Sequence, residues 1–108
     1  RQMCIRDRWN TLISYLGGKE VAGDKLKAMS GWNNSGNGTN MSGFAALPGG
    51  TRQQLYSTFF DLGRIGTWWT DSGNEYYPTR IQLHEYNSEV DRLTSKRQRG
   101  CSVRCVRD

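Results

Sequence analysis

No apolar run in this chain approaches the ~20 residues that a membrane-spanning helix needs. A single histidine, His84, is all it offers for imidazole chemistry. Paired-carboxylate motifs, phosphate-cradling glycine loops, nucleophile elbows and cysteine–histidine metal clusters are missing from the sequence. The expectation is therefore a domain without catalysis and without a cofactor. Apolar residues make up only 35% of the 108, while glycine (13), tryptophan (4) and tyrosine (5) are plentiful. That mixture points to many loops stitched around a few large aromatic side chains, each burying a large apolar area. The length suits one domain with a modest core.

The first eight residues, Arg1-Gln2-Met3-Cys4-Ile5-Arg6-Asp7-Arg8, back-translate to AGA CAG ATG TGT ATA AGA GAC AGN. That string resembles a transposon-end adapter from sequencing libraries read in one frame, so residues 1–8 are expected to be non-native. The alternative is a natural basic N-terminus. Without this segment, which holds Cys4, three arginines and one aspartate, the net charge falls from +5 to +3. Residues 9–108 then form a single truncated domain, and a chain opening at such a junction would show no signal peptide.

Trp9, Leu12, Ile13 and Leu16 fall at i, i+3, i+4 and i+7, which predicts a helix, and Gly17-Gly18 predicts its stop. Lys25–Met29 reads as a short strand or turn. Residues 33–42 are almost wholly polar and read as a loop with Asn-Gly turn chemistry. This loop has three Asn-x-Ser/Thr sequons, at Asn33, Asn37 and Asn40, and no carboxylate to favour calcium. Phe44–Leu47 reads as a buried strand closed by Pro48-Gly49-Gly50, and 53–60 as ambiguous with room for a helical turn. Ile65–Thr70 reads as a strand that sends Trp68 and Trp69 to opposite faces. Either both tryptophans pack, on two sides of an irregular sheet, or one lines a sugar-stacking surface. Ile81 and Leu83, with Tyr86 beyond, alternate with Arg80, Gln82 and His84 as a half-buried strand would. His84 is then expected to face solvent. The polar stretch 87–100 has Val90 and Leu93 as its inward residues, and Cys101–Arg107 reads as a final strand.

Three segments stand out together: Gly43-Phe44-Ala45-Ala46-Leu47-Pro48-Gly49-Gly50, Gly66-Thr67-Trp68-Trp69-Thr70, and Gly100-Cys101-Ser102-Val103-Arg104-Cys105-Val106-Arg107-Asp108. In order and spacing they resemble the Fibrobacter succinogenes major paralogous domain, from about Trp9 to the last residue. The resemblance implies an α+β fold: an irregular C-type-lectin-like domain with one N-terminal helix, short antiparallel strands and long loops. It is distantly like that of the formylglycine-generating enzymes. It also implies an exported bacterial domain displayed at the cell surface or on a lipoprotein, of unknown activity. The signature residues carried over are Phe44, Leu47, Pro48, Gly49, Gly50, Trp68, Trp69, Val103, Arg104 and Cys105. Position 101 departs from the pattern, since the family usually has a bulky apolar residue there. In that fold the last strand pairs with the first, so the truncation would leave Ser102–Arg107 with an exposed edge.

Cys101 and Cys105 lie four residues apart, roughly 13 Å between Cα atoms on a strand at ~3.3 Å per residue. A disulfide needs about 7 Å or less, so they cannot pair there. With Val103 they share one strand face, as small buried hydrophobes do. The copper-binding cysteines of formylglycine-generating enzymes sit upstream of the last strand, not within it, so that oxidase chemistry is not expected.

Arg92, Lys96, Arg97, Arg99, Arg104 and Arg107 place six positive charges in sixteen residues with no acid between them. Clustered Lys/Arg can neutralise phosphates or sulfates. No aromatic interleaves the run, however, so nucleic acid is not the expected partner. Arg104, inside the signature, is expected to make a structural pairing. Three readings follow: a surface module binding a carbohydrate or a protein, a structural spacer binding nothing, or an enzyme, for which no constellation exists. In the first, Tyr76, Tyr77, Arg80, His84, Tyr86, Asn87 and Arg92 would form the ligand surface, a mix of aromatic and polar groups suited to flat amphipathic contact.

Overall fold

The computed structural model describes residues 2–3, 6–52, 59–73, 78–94, 100–104 and 106–107. Helix α1 spans Arg6–Tyr15 and presents the expected stripe: Trp9, Ile13 and Leu16 are buried, and Leu12 packs against them. It closes as a Schellman motif. Gly18 N–H donates to the Ile13 carbonyl (3.0 Å) and Gly17 N–H to that of Ser14 (3.1 Å). Gly17 sits at φ +106°, where a Cβ would be strained.

Strand β1, Gln2–Met3, pairs antiparallel with the last strand, β7, Val106–Arg107. The edge expected to be exposed is therefore occupied over those two residues. Ladder bonds need only backbone N–H and C=O groups, so side-chain identity did not forbid it. β1 and the first turn of α1 fall within residues 1–8.

The stretch expected to be a strand or turn at Lys25–Met29 instead follows and overlaps a second helix, α2, Ala22–Leu26. Ala22 and Leu26, one turn apart, are both fully buried, and this anchors the short helix. Lys27 then bridges to Ala46. The polar loop 33–42, with Ala46 beyond it, takes up the carbonyls of the end of α2 and of the two residues after it. Thr39, Ser42, Ala46, Asn40 and Gly38 N–H donate to the carbonyls of residues 24, 25, 26, 27 and 28 respectively.

Phe44–Leu47 is not a continuous buried strand. Ala45 has φ +54°, which breaks the extended run, and only Ala46 forms a bridge. Ala46 is buried and Phe44 half-buried, but Leu47 is 59% exposed. After Pro48, Gly49 N–H donates to the Leu47 carbonyl (2.9 Å) and Gly50 bridges to Gly66, leading into β2, Thr51–Arg52, which pairs with β3, Phe59–Phe60. Residues 53–58 lie outside the described residues.

The main sheet has the order β4-β5-β6, all antiparallel, formed by Ile65–Gly73, Pro78–His84 and Val90–Thr94. β4 runs three residues further than Thr70. β6 falls in the polar stretch 87–100, whose inward residues were expected to be Val90 and Leu93. Val90 is buried opposite Leu83, but Leu93 lies opposite Arg80 on the other face and is only half-buried. β5 is the largest correction: as the central strand it is covered on both sides. Arg80, Gln82 and His84 are as buried as a core residue, not solvent-facing. Helices and strands together make the fold α+β.

The core gathers on one face of the sheet. Trp9 packs against Phe44 (centroids 5.3 Å) and Trp68 (6.3 Å), and Phe44 meets Trp68 edge-on (5.9 Å). Trp69 takes the opposite face and is half-buried. Arg104 supports this cluster from outside, donating from Nη1 to the Phe44 carbonyl (2.9 Å) with its guanidinium 4.4 Å from the Phe44 ring centroid. Its partners are thus a carbonyl and a ring, where a salt bridge was the structural expectation.

The tail is not one strand from Cys101 to Arg107. Gly100 bridges to Arg52 and Ser102 to Trp68, clamping β2 and β4 together. Val103, past the second bridge, is 65% exposed and Cys101 half-buried, so these two do not form a buried face. Cys105 lies outside the described residues. Among them, no helix is long and apolar enough to cross a membrane.

Candidate functional site

Three segments distant in sequence meet around a polar cleft of about 240 Å³. They are α2, the loop 33–42 and the turn between β5 and β6. Backbone bonds hold them: Gly23 N–H donates to the Ser88 carbonyl (2.8 Å) and Val90 N–H to that of Lys19 (2.8 Å). Ser88 Oγ donates to the Glu20 carbonyl (2.8 Å). The loop comes closest at Gly36, where an added Cβ would lie 2.3 Å from the Glu85 carbonyl oxygen. Only glycine allows that approach.

The floor of the cleft is Lys27, 1% exposed. Its ammonium donates to the carbonyls of His84 (2.9 Å) and Asn87 (3.0 Å) and sits 3.6 Å from Asp24 Oδ1. It also lies 5.2 Å from the centroid of the Trp32 ring. Burial lowers the Lys27 pKa below its ordinary value, with the Asp24 charge and hydrogen bond opposing that shift. One side chain thus binds α2 to both ends of the β5–β6 turn.

A second ion pair, buried at Glu85 and 56% exposed at Arg64, backs the wall. Glu85 is buried and accepts from Arg64 Nε (3.1 Å) and from Asn34 Nδ2 (3.0 Å). The hydrogen bond to Glu85, then its charge and that of Asp61, raise the Arg64 pKa above its already high ordinary value. Asn37 turns its Oδ1 inward to accept from Trp32 N–H (2.9 Å).

Tyr86 stands at the rim, 70% exposed. Its ring rests on the His84 ring (centroids 5.2 Å, 35° apart). His84 Nε2 is 2.7 Å from Asp91 Oδ2 and 3.2 Å from Gln82 Nε2, while Nδ1 is buried with no partner. The contact with a carboxylate calls for a proton donated from Nε2, which leaves the Gln82 amide, itself a donor, as a neighbour of that nitrogen and not its hydrogen-bond partner. His84 is therefore held at its ring by Asp91 and at its carbonyl by Lys27.

Of the residues expected to form a ligand surface, Tyr86 and Asn87 line this cleft and His84 supports it from below. Arg80 is buried further along β5, and Arg92 is exposed on β6 without lining the cleft. Tyr76 and Tyr77 lie outside the described residues, as do Lys96, Arg97 and Arg99 of the basic run. Sequence reasoning missed Asp24, Lys27, Ser35 and Glu85. The i, i+3 spacing of Asp24 and Lys27 was a visible signal; their burial was not. A second depression, of about 230 Å³, lies between the β2–β3 ribbon and residues 100–102, with Arg52 and Phe59 along it. Among the described residues, no three His, Cys, Asp or Glu side chains gather as a metal site would require.

The model of the Fibrobacter succinogenes major domain matches residues 5–107, nearly the whole chain. No curated protein and no solved structure matches it significantly.

Proposed function

Since the chain belongs to the Fibrobacter succinogenes major domain family, we propose that it is a non-catalytic ligand-binding module of an exported bacterial surface protein or lipoprotein. Its ligand in this reading is a carbohydrate or a protein, displayed to by loops on a C-type-lectin-like frame. Export, surface display and the lectin-like arrangement are expectations taken from the family resemblance. One observation carries the binding role: the Tyr86 ring, held exposed at the rim of a polar cleft whose walls are fixed by backbone hydrogen bonds and ion pairs. Exposed aromatic rings beside converging polar groups are how proteins grip amphipathic ligands.

Glycan arrays and binding screens against surface proteins test this reading. Saturable binding is expected, and Tyr86→Ala should weaken it at least tenfold while circular dichroism stays that of the parent chain. Failure to find saturable binding to either class would leave the spacer reading in its place.

A further inference from the structure

We infer that the cleft between α2 and the β5–β6 turn receives one ring of an uncharged saccharide, stacked on Tyr86, and that no divalent cation takes part. The inference rests on the binding role proposed above and specifies its ligand.

Charge decides the ligand class. Lys27 is paired with Asp24 and Glu85 with Arg64, so every formal charge lining the cleft is balanced from within the protein. The Lys27 protons are already directed at two carbonyls, and 1% exposure keeps a ligand from its ammonium. An anion entering here would meet the Asp24 and Glu85 carboxylates, while among the described residues the one cation lining the cleft is the sealed Lys27, and Arg64, 56% exposed, lies outside the lining. A cation would compete with the seated ammonium. A neutral polyol pays neither penalty, since desolvating a hydroxyl costs far less than desolvating a charge.

Hydrogen-bonding capacity remains for it. The Asn37 Oδ1 is taken by Trp32 N–H, which leaves its Nδ2 group as donor. Ser35 lines the cleft, and half-exposed Asp24 supplies a carboxylate oxygen. Donor and acceptor within one depression suit neighbouring sugar hydroxyls. Tyr86 offers the apolar side: one face of its ring rests on His84, and its 70% exposure leaves area for the C–H face of a sugar. Because His84 holds the ring before binding, little rotamer entropy is lost on contact. At about 240 Å³ the cleft is smaller than the ~300–1,000 Å³ of drug-sized ligand sites, which suits a single ring.

The cation question follows from the same lysine. Two carbonyl oxygens and a carboxylate converge where the ammonium sits, an oxygen set of the kind calcium uses. The Lys27 ammonium, tethered to the chain, already occupies that position.

The test is a titration of the full ¹⁵N-labelled chain with glucose, galactose, mannose, xylose and N-acetylglucosamine, and with glucuronate as the anionic comparison. Each is run in EDTA and in calcium chloride. The expected result is saturable shifts of the Asn37, Tyr86 and Asn87 amides by at least one neutral sugar, with the same Kd in both buffers. Tyr86→Ala should raise that Kd at least tenfold and Tyr86→Trp should restore it. Shifts confined to another surface, binding that requires calcium, or preference for glucuronate would each overturn the inference while leaving a binding module in place. A protein ligand with no sugar response would do the same. Silence toward sugars and proteins alike would overturn both readings.

Discussion

Lys27 shows what one side chain does here. Replacing it with methionine keeps the apolar stem but takes the donor from one buried and one part-buried carbonyl. Each costs ~1–3 kcal/mol, so Lys27→Met should lose about 3 kcal/mol in urea unfolding at neutral pH. The pH dependence has a definite sign. Burial lowers the folded-state pKa below the ordinary 10.5, so the unfolded chain binds more protons between the two values. Stability contributed by this group therefore rises as pH climbs from the lowered value toward 10.5. The gap between the parent chain and Lys27→Met should widen in the parent's favour over that window. A gap that narrows would mean the lysine is not desolvated. The Asp24–Lys27 spacing was legible from the sequence, but a lysine reads as surface until something is known to cover it.

At the scale of elements, close approach sets the shape of the cleft. A Cβ at Gly36 would press on the Glu85 carbonyl at 2.3 Å, whereas one at Gly49 would meet only Ser102 Oγ at 3.7 Å, an ordinary contact. Gly36→Ala should cost about 2 kcal/mol as the loop is pushed off the turn, a fall in Tm of about 10 °C for a domain of this size. Gly49→Ala should stay within about 0.5 kcal/mol. Equal effects in thermal melts would deny that the 33–42 loop seats on the turn as described. The helix stripe of α1 and the strand character of β4 were legible because periodicity and glycine punctuation are local signals. β5 misled because alternation records which residues differ, not which face is covered. Its polar side is buried beneath neighbouring segments, and nothing within seven residues announces that.

For the whole molecule, the aromatic cluster of Trp9, Phe44 and Trp68 ties α1, the segment before Pro48 and β4 together, and Arg104 locks it from the tail. Arg104→Lys loses the planar stacking on Phe44 and its directed bond, at a cost of about 1 kcal/mol. Near-ultraviolet circular dichroism of the tryptophans should change with it, because the Phe44 ring is freed beside them. An unchanged spectrum and melting point would place Arg104 in solvent.

By itself the sequence determined the α+β class, the helix with Trp9 on its buried stripe and its stop, the polar loop and membership of the family, since all of these are written in short-range pattern or motif order. Tertiary structure decided the rest. Leu47 and Val103 became exposed because a positive φ and an isolated bridge turn the chain there. His84 became a buried support, and Lys27 the floor of the cleft. The cleft joins residues near 24, 36 and 86. Burial is a property of what packs against a residue, and those partners lie dozens of positions away along the chain.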